Sequence, residues 1–475
     1  MSYIRYKTFG NKEYAYEVTS YWDREKKRSR QKTIYLGQVI DKEKGDYRRL
    51  EKKVSAVDDE LILDFGDAFC IYQMLNRSDV LSILKISHPN LVDEISLLCM
   101  HKLINPTAMV HLNIWYAGSY SNRLIKNASL TSQRISEYLK EIGKEKYLRK
   151  FFSNYIANSN PDKKTLLIDT TALPNQIHMP LTSWGRSEGG IDKTIRFLFV
   201  VDKTNSKPLY FRYIDGSIPD VSVLSNTITE LKNYQVNDVM AILDAGFFSN
   251  DNVTLLKELN IQYLTRLPSN RKIFKDLTEQ YVPSIETVQN AYKYGKRITY
   301  IKKVQVDIAG NQLFAYVVLD PKTKAEKSTK YLLEILDQEI TADTNSDFDL
   351  ITKGIFILIS SSEIEEKDLL KLYYERQKAE QLFGFLKDDL EILPLRVHQE
   401  STLKGYLFIS FISLIIFIEI RDKLKNKYQF EEAMLLLKNL KVRTYGDNEI
   451  IGELTKDQRL ILECLQIELP NKPSA

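Results

Sequence analysis

The stretch from Asp238 to Leu267, DVMAILDAGFFSNDNVTLLKELNIQYLTRL, decides the fold class of this 475-residue chain. Residues 238–244 are apolar between two acids and predict a short strand that ends on Asp244. Residues 250–259 have the apolar spacing of a helix, and residues 261–267 predict another strand. This strand–helix–strand succession is typical of a sheet flanked by helices.

The residues that precede this stretch extend the same pattern. They predict three further strands and one amphipathic helix, at Thr165–Asp169, Lys193–Val201, Leu209–Ile214 and Val221–Tyr234 respectively. The resulting order, three strands followed by alternating helices and strands, describes a mixed α/β sheet. Two of its strands are predicted to end on an acid, Asp169 and Asp244, at the carboxyl ends where such sheets usually bind ligands.

A third acid lies in the later segment YYERQKAEQLFGFLK, residues 373–387. On a regular helix of about 100° per residue, Tyr373, Arg376, Glu380 and Lys387 fall within a stripe about 60° wide. The stripe combines a carboxylate, which can hold a metal, with two cations and a phenol, which can hold phosphate. Such a surface is suited to cutting a nucleic-acid backbone.

The remaining segments differ in pattern, and they predict five domains. Residues 3–40 alternate like strands, residues 60–158 have helical apolar spacing, and β-type runs recur between residues 297 and 359. The predicted domains are a small basic β-structure, 1–57; a helical, DNA-end-binding domain, 58–158; an RNase H-like catalytic core, 159–268 and 353–425; a β-rich insertion, 269–352; and a C-terminal helical segment, 426–475.

Charge and composition exclude several classes of protein. Residues 1–53 contain 15 Lys and Arg against 8 Asp and Glu, a net charge of +7 in a chain of net charge +4, which suggests an anionic partner for this segment.

Three scattered cysteines argue against a zinc cluster or a disulfide framework and fit a reducing cytoplasm. The N-terminus lacks the apolar region of a signal peptide. The most apolar run, residues 406–418, is too short to span a bilayer and predicts a buried core helix.

The three acids have the chemistry of a metal-dependent phosphodiester site. Two divalent cations about 4 Å apart can activate an oxygen nucleophile and stabilise the leaving oxygen. Mg²⁺ prefers hard oxygen ligands, and the scarcity of His and Cys near these positions argues against zinc. We expect Asp169 to bridge the two ions, with Asp244 and Glu380 each completing one.

These residues resemble the DDE transposases of bacterial and archaeal insertion sequences, in particular the group with a Y-(2)R-(3)E-(6)K signature and a β-strand insertion in an RNase H-like domain. The signature is complete at Tyr373, Arg376, Glu380 and Lys387. The segment ILDAGFFS, residues 242–249, resembles the second-acid motif of that group, and Asp169-Thr-Thr resembles the first.

The resemblance implies specific roles. Asp169, Asp244 and Glu380 would bind two Mg²⁺ ions, with Mn²⁺ as a substitute, and Tyr373, Arg376 and Lys387 would hold phosphates near the scissile bond. The reaction would be hydrolytic nicking at the element end, followed by attack of the freed 3′-OH on target DNA. Basic residues of the first domain are further candidates for DNA contact: Arg24, Lys26, Lys27, Arg28 and Arg30.

Several alternatives stay open at this point. The chain is compatible with a domesticated, non-catalytic DNA-binding protein, and with an RNase H-like nuclease that cuts without strand transfer. Relatives that pass through a DNA hairpin stack a tryptophan of the inserted domain on a flipped base. The segment 268–372 of this chain contains no tryptophan, which argues against a hairpin step without deciding between the two pathways. The expected partners are the terminal inverted repeats and target DNA, bound by a homodimer in a prokaryotic cytoplasm.

Overall fold

In a computed structural model, the chain divides into two compact units. The smaller contains Met1–Leu61 and Thr444–Asn448, and the larger contains Ile62–Arg443 and Glu449–Ala475. The structure describes residues 2–9, 12–23, 28–48, 61–159, 165–175, 179, 181–187, 190–237, 239–337, 344–425, 427–446 and 448–470.

The smaller unit is built on a four-stranded antiparallel sheet of order β1-β2-β3-β4. The sheet is rich in tyrosine and β-branched residues, which favour extended backbone. A register shift between Ala15 and Tyr16 marks a bulge against β3. The strands are β1 (Ser2–Phe9), β2 (Lys12–Asp23), β3 (Arg28–Asp41) and β4 (Asp46–Arg48).

The larger unit begins with one short strand and a group of helices, as the apolar spacing predicts. Ser78 and Thr131 cap two of the helices with side-chain oxygens that accept backbone N–H groups. The elements are β5 (Leu61–Asp64), α1 (Gly66–Arg77), α2 (Asp79–Ser87), α3 (Val92–Ile104), α4 (Leu112–Gly118), α5 (Ser121–Leu124), α6 (Ser132–Ile142) and α7 (Glu145–Asn158).

A mixed sheet forms the centre of the larger unit. Strand β10 runs parallel to both β6 and β11, whereas β8 is antiparallel to β6, β7 and β9. The elements are β6 (Thr165–Pro174), β7 (Ser183–Ser187), β8 (Gly190–Asp202), β9 (Pro208–Asp215), α8 (Asp220–Asn233), β10 (Met240–Leu243), α9 (Asn250–Glu258) and β11 (Gln262–Arg266).

The segment that follows β11 adds three strands to the edge of this sheet instead of forming a separate one. Strand β14 pairs with β15, so that ten strands of the described residues form one sheet. The order β12-β13-β14-β15-β11-β10-β6-β8-β7 is continuous in this sheet, and β9 pairs with β8. The polar stretch near 321–350 is largely helical. The elements are α10 (Lys272–Tyr281), β12 (Ala291–Tyr294), β13 (Arg297–Ile308), β14 (Asn311–Leu319), α11 (Pro321–Asp337), α12 (Thr344–Ile351) and β15 (Ile355–Ser360).

The last part of the chain supplies the helix that bears Glu380 and a long core helix. The elements are α13 (Glu366–Tyr374), α14 (Gln377–Gly384), a π-helical turn (Phe385–Asp389), α15 (Glu400–Leu424), α16 (Phe430–Lys438), β16 (Lys441–Tyr445), β17 (Asn448–Ile451) and α17 (Lys456–Leu465).

Helix α15 is the predicted core helix. By length and composition it is the one described helix that could cross a membrane, but 89% of its most apolar window is buried inside the protein. It packs closely on α6, where a Cβ atom added to Gly405 would lie 1.9 Å from the carbonyl oxygen of Leu139. The glycine therefore sets the distance between the two helices.

The sequence-based fold class is confirmed: a mixed sheet flanked by helices, with a small β-structure and a helical segment before it. Two local predictions are wrong. Strand β6 does not end on Asp169 but continues to Pro174, because the long antiparallel strand β8 still pairs with it there. The segment 373–387 is not one regular helix. The boundaries of the five domains stay predictions.

Candidate active site

The register of two parallel strands brings Asp169 and Asp244 to the same level of the sheet. Leu243, the last residue of β10, pairs with Ile168 of β6, and an aspartate follows each of them. Beyond this level β6 keeps only its β8 partner, whereas the chain leaves β10 at Asp244. The two acids therefore lie where the sheet opens between β6 and β10, which is the crevice that a parallel pair provides for a ligand.

Helix α14 places the third acid over this opening. Its buried residues Ala379, Leu382 and Phe383 face the sheet, and the ring of Phe383 stacks on Phe199 at 5.0 Å. Phe199 of β8 is the register partner of Asp169, so this stacking holds the helix at the level of the acids. Glu380, on the same helix, keeps about half of its side chain exposed.

One guanidinium joins all three acids. Nη1 of Arg376 lies 3.0 Å from Oδ2 of Asp169 and 3.7 Å from Oδ1 of Asp244. Nη2 of the same residue lies 2.7 Å from Oε1 of Glu380. The fold thus gathers residues that are far apart in the sequence around a single cation, as the predicted acidic pocket requires.

Burial strengthens the interactions between the charged groups of this cluster. Only 6% of Asp169 is exposed, and burial raises the pKa of its carboxyl to about 7, although Arg376 acts in the opposite direction. Asp244 and Glu380 add repulsion that raises this pKa further. Burial alone would lower the pKa of Arg376, but the carboxylates outweigh it and the pKa is raised. The guanidinium therefore compensates charges that would otherwise repel one another.

The backbone between Tyr373 and Lys387 departs twice from a regular helix. Residues 375 and 376 form a tight turn, in which Arg376 N–H donates to the carbonyl of Tyr373 at 3.2 Å. After Gly384 the chain forms a π-helical turn, in which Leu390 N–H donates to the carbonyl of Phe385, five residues earlier. The second departure takes Lys387 out of the phase that a regular helix would give it.

Tyr373 is buried beside the acids, with 4% of the residue exposed. Burial, and to a smaller degree Asp244, raises the pKa of its phenol to about 12, while Arg376 acts in the opposite direction. Its neighbour Tyr374 stacks on Tyr294 of the inserted strand β12 at 5.1 Å. The insertion is thus packed against the helix that leads into the acidic cluster.

The cluster agrees with what comparison with known proteins finds. A family model described as "Transposase DDE domain" matches residues 160–416, more than half of the chain. The chain belongs to this family. The match spans all three acids and Arg376, and it supports the assignment of this chain as a transposase.

One solved structure is similar to this DDE chain over most of its length. It is the cryo-EM structure of the piggyBac transposase synaptic complex with hairpin DNA, with 12% sequence identity and a TM-score of 0.42. The likeness covers 78% of this chain and 79% of that chain. No curated protein matches the chain significantly.

A fourth acid, which the sequence did not single out, lies beside the DDE cluster. Oδ1 of Asp220 accepts a hydrogen bond from the Thr170 hydroxyl at 2.9 Å, and the backbone N–H of Thr170 donates to Asp169 at 2.8 Å. Oδ2 of Asp220 pairs with Arg196 at 2.9 Å. The same carboxylate oxygen would lie 2.8 Å from a Cβ atom added to Gly246.

Asp220 therefore contacts the chain just after both Asp169 and Asp244, through Thr170 on one side and Gly246 on the other. A side chain at position 246 would require the Asp220 carboxylate to shift. The sequence signal for Asp220 is weak, since an acid in the first turn of a helix is common for reasons of capping alone.

The basic residues predicted in the first domain are placed only in part. Arg24, Lys26 and Lys27 lie outside the described residues. Arg28 and Arg30 belong to strand β3, opposite Asp23 and Tyr21 of β2. Their role in DNA contact stays a prediction.

DDE transposases generally use divalent metal ions, and the donor set of this chain fits such ions. Three carboxylates supply only hard oxygen ligands, and all three already converge on one cationic group. Within the described parts of the chain, no three acidic, His or Cys side chains stand close enough to share one ion. The guanidinium of Arg376 already pairs with all three carboxylates, so an ion that binds all of them would compete with it for the same oxygen atoms.

Proposed function

We propose that this chain is the transposase of a prokaryotic insertion sequence of the Y-(2)R-(3)E-(6)K group. It cuts DNA strands at the element ends in a Mg²⁺-dependent reaction and joins the freed 3′-OH to target DNA, in a cut-and-paste pathway. The observation that carries this proposal is the convergence of Asp169, Asp244 and Glu380 on Arg376, within a chain of the DDE family.

Asp169 would contact both ions of the metal pair, and Asp244 and Glu380 would each contact one. When bound, such a pair of divalent cations activates the attacking oxygen and stabilises the leaving oxygen of a phosphodiester. The burial of Asp169 favours this role, because a buried carboxylate holds a cation more strongly than an exposed one does.

The cationic residues of the same segment would hold the DNA backbone. Once Arg376 is released from the carboxylates, its planar guanidinium can hold a phosphate through two parallel hydrogen bonds. Tyr373 lies near it, because Arg376 acts to lower the pKa of the Tyr373 phenol. Lys387 would contact a phosphate further along the strand, and these contacts fix the register of the DNA without reading its sequence.

The partners would be the terminal inverted repeats and target DNA. Cutting two ends together favours a homodimer on DNA. The basic first domain, with Arg24, Lys26, Lys27, Arg28 and Arg30, would add sequence-independent contacts. The reaction would take place on the nucleoid, in the cytoplasm.

The test is a cleavage and strand-transfer assay with the full chain. The substrate is a labelled duplex that carries the inverted repeat found at the borders of the gene, together with a plasmid target and Mg²⁺. We expect nicking at the repeat border and covalent joining of the labelled 3′ end to the plasmid. Asp169→Asn, Asp244→Asn and Glu380→Gln should each reduce both steps about 10³-fold or more.

Asp388→Asn is the matched control, because Asp388 is an exposed acid of the same helical region and should leave both steps unchanged. Cleavage without joining would favour a nuclease over a transposase. Binding of the repeat without any cleavage would favour a non-catalytic DNA-binding protein. Either result would overturn the proposed activity.

A further inference from the structure

The sheet of the smaller unit has two chemically different faces. Side chains alternate between the faces along a strand, and register partners share a face. Lys12, Tyr14, Tyr16, Val18, Ser20 and Trp22 of β2 therefore lie on one face. The residues paired with them or in phase with them on β1 and β3 share that face: Tyr3, Arg5, Lys7, Ser29, Gln31, Thr33, Tyr35 and Gln38.

This face, which we call the tyrosine face, combines aromatic rings with cations. Tyr35 lies 5.3 Å from Tyr16 and 6.3 Å from Tyr14, measured between ring centroids. The ammonium of Lys7 lies 5.5 Å from the ring of Tyr16. On the described residues of β1, β2 and β3, the face carries no acid, whereas Glu13 and Glu17 of β2 lie on the opposite face.

Arg5 crosses the middle of the tyrosine face. Its guanidinium donates to the Tyr3 hydroxyl at 2.6 Å and to Gln31 at 3.4 Å. Arg5 of β1 lies opposite Tyr16 of β2, whereas Gln31 of β3 lies opposite Ser20 of β2. To reach Gln31, the Arg5 side chain therefore passes over Val18, which lies between Tyr16 and Ser20 on this face of β2 and is fully buried. The cation is thus held on this face, with Cζ of Arg5 5.7 Å from the ring centroid of Tyr3.

The rings of the face are open to solvent. Trp22 is 64% exposed, Tyr3 44% and Tyr35 38%. Exposed aromatic groups of this size lose hydrophobic stabilisation unless a ligand covers them. The absence of acids and the presence of Lys7, Arg5 and Lys12 favour a ligand that is flat, aromatic and anionic.

We propose that the tyrosine face binds unpaired DNA bases, which stack on Trp22 and the exposed tyrosines while Arg5, Lys7 and Lys12 contact the phosphates. Aromatic side chains on an open sheet stack on bases only when those bases are not already paired and stacked in a duplex. The choice of DNA rests on the function proposed above, in which strand cleavage exposes single-stranded ends. The basic charge of residues 1–53 agrees with it.

The test measures the binding of the full chain to a fluorescein-labelled oligothymidylate, and to the same strand in a duplex, with EDTA present so that no metal-dependent contact contributes. We expect the single strand to bind more tightly than the duplex. Because stacking on one aromatic side chain changes affinity by roughly 5- to 150-fold, Trp22→Ala and Tyr35→Ala should each weaken single-strand binding at least about 5-fold.

Tyr21→Ala is the matched control. Tyr21 precedes Trp22, is 48% exposed and lies on the opposite face, so its removal should leave binding unchanged. A second measurement does not depend on alanine variants. With Trp115 and Trp184 replaced by Phe, Trp22 is the only tryptophan, and stacking should quench its emission when the oligothymidylate is added.

Equal binding of the single strand and the duplex, an unquenched Trp22, or the same loss for Tyr21→Ala as for Trp22→Ala would each overturn the proposal. The outcome is separable from that of the cleavage assay. If the chain cuts and joins DNA while Trp22→Ala binds normally, only this inference fails. If the chain cuts nothing while single-strand binding depends on Trp22, only the proposed activity fails.

Discussion

Arg376 and Asp169 are 207 positions apart in the chain, yet the guanidinium of one lies 3.0 Å from the carboxylate of the other. The same cation also pairs with Asp244 and Glu380. The residue proposed to hold phosphate therefore contacts the three carboxylates that are proposed to bind the metal. Metal binding and the release of Arg376 should be coupled, since both cations compete for the same oxygen atoms.

Removing this competitor should strengthen metal binding. We expect Arg376→Gln to bind Mn²⁺ about tenfold more tightly than the unmodified chain, which corresponds to ~1.4 kcal/mol, as measured by calorimetry. In EDTA its melting temperature should fall because the three carboxylates repel one another, and Mn²⁺ should restore it. DNA cleavage should decrease, because the phosphate contact is lost.

Lys378→Gln is the control for Arg376, because Lys378 belongs to the same helix but pairs with Glu375 at 2.7 Å. Its Mn²⁺ affinity should not change. Unchanged or weaker Mn²⁺ binding by Arg376→Gln would contradict the competition.

Asp220 should act as a positioning residue for Asp169 and Asp244. Asp220→Asn keeps the shape of the side chain but loses the charge that pairs with Arg196, so the Thr170 and Gly246 contacts should loosen. Residues that orient metal ligands typically change metal affinity or activity by about 10- to 100-fold. We expect a decrease in Mn²⁺ affinity of this size, with a parallel decrease in cleavage.

Asp251→Asn is the control for Asp220, since Asp251 is an exposed acid in the first turn of the next helix, α9. It should leave Mn²⁺ affinity unchanged. If Asp220→Asn bound Mn²⁺ normally while its melting temperature fell, Asp220 would have a structural role only.

Asp67 should make stability depend on pH. Burial raises the pKa of its carboxyl to about 6, despite a hydrogen bond from the Ala68 N–H, and the repulsion from Asp64 acts in the same direction as burial. In the unfolded chain the pKa is about 3.9, so the folded state binds the proton more tightly. The stabilisation is fully present below pH ~4 and is lost as the pH rises through ~6, with a size of about 3 kcal/mol.

Asp67→Asn should therefore flatten the fall in melting temperature between pH ~4 and ~7 and melt at a higher temperature than the unmodified chain at pH ~7. Asp93→Asn, at an exposed acid in the first turn of α3, should keep the original profile. Identical pH profiles for Asp67→Asn and the unmodified chain would refute the assignment.

Gly405→Ala should destabilise the helical packing of the core. The added methyl group would overlap the Leu139 carbonyl oxygen at 1.9 Å, so α15 and α6 must separate. Overpacking of this kind costs about 1–3 kcal/mol, and a lower melting temperature is expected. Gly118→Ala is the control, because a Cβ atom there meets no other atom within 4 Å; a similar loss at both positions would rule out the steric cause.

The sequence predicts the main elements of the site because they depend on local patterns. Two apolar strands that each lead to an aspartate are visible in the residues themselves, and a parallel register is enough to bring Asp169 beside Asp244. Helical spacing also places Arg376 and Glu380 four residues apart on one side of the chain, where their side chains pair at 2.7 Å.

Other features depend on contacts between distant segments and leave no local pattern. The pairing of Arg376 with three acids results from folding, since periodicity gives the face of a residue but not its partner. The tight turn at residues 375–376 and the π-helical turn change the phase of a helix whose average spacing looks regular. The pairing of β14 with β15 depends on backbone hydrogen bonds, so composition cannot distinguish an extended sheet from a separate one.

Strand β15 hydrogen-bonds to β14 of the insertion on one side and to β11 on the other, and its chain then continues into α13. Among the described residues, the strands of the insertion and the strands that lead to Asp169 and Asp244 consequently belong to one hydrogen-bonded sheet. The intervening strands would therefore set the distance between Asp244 and a molecule bound at the outer strands.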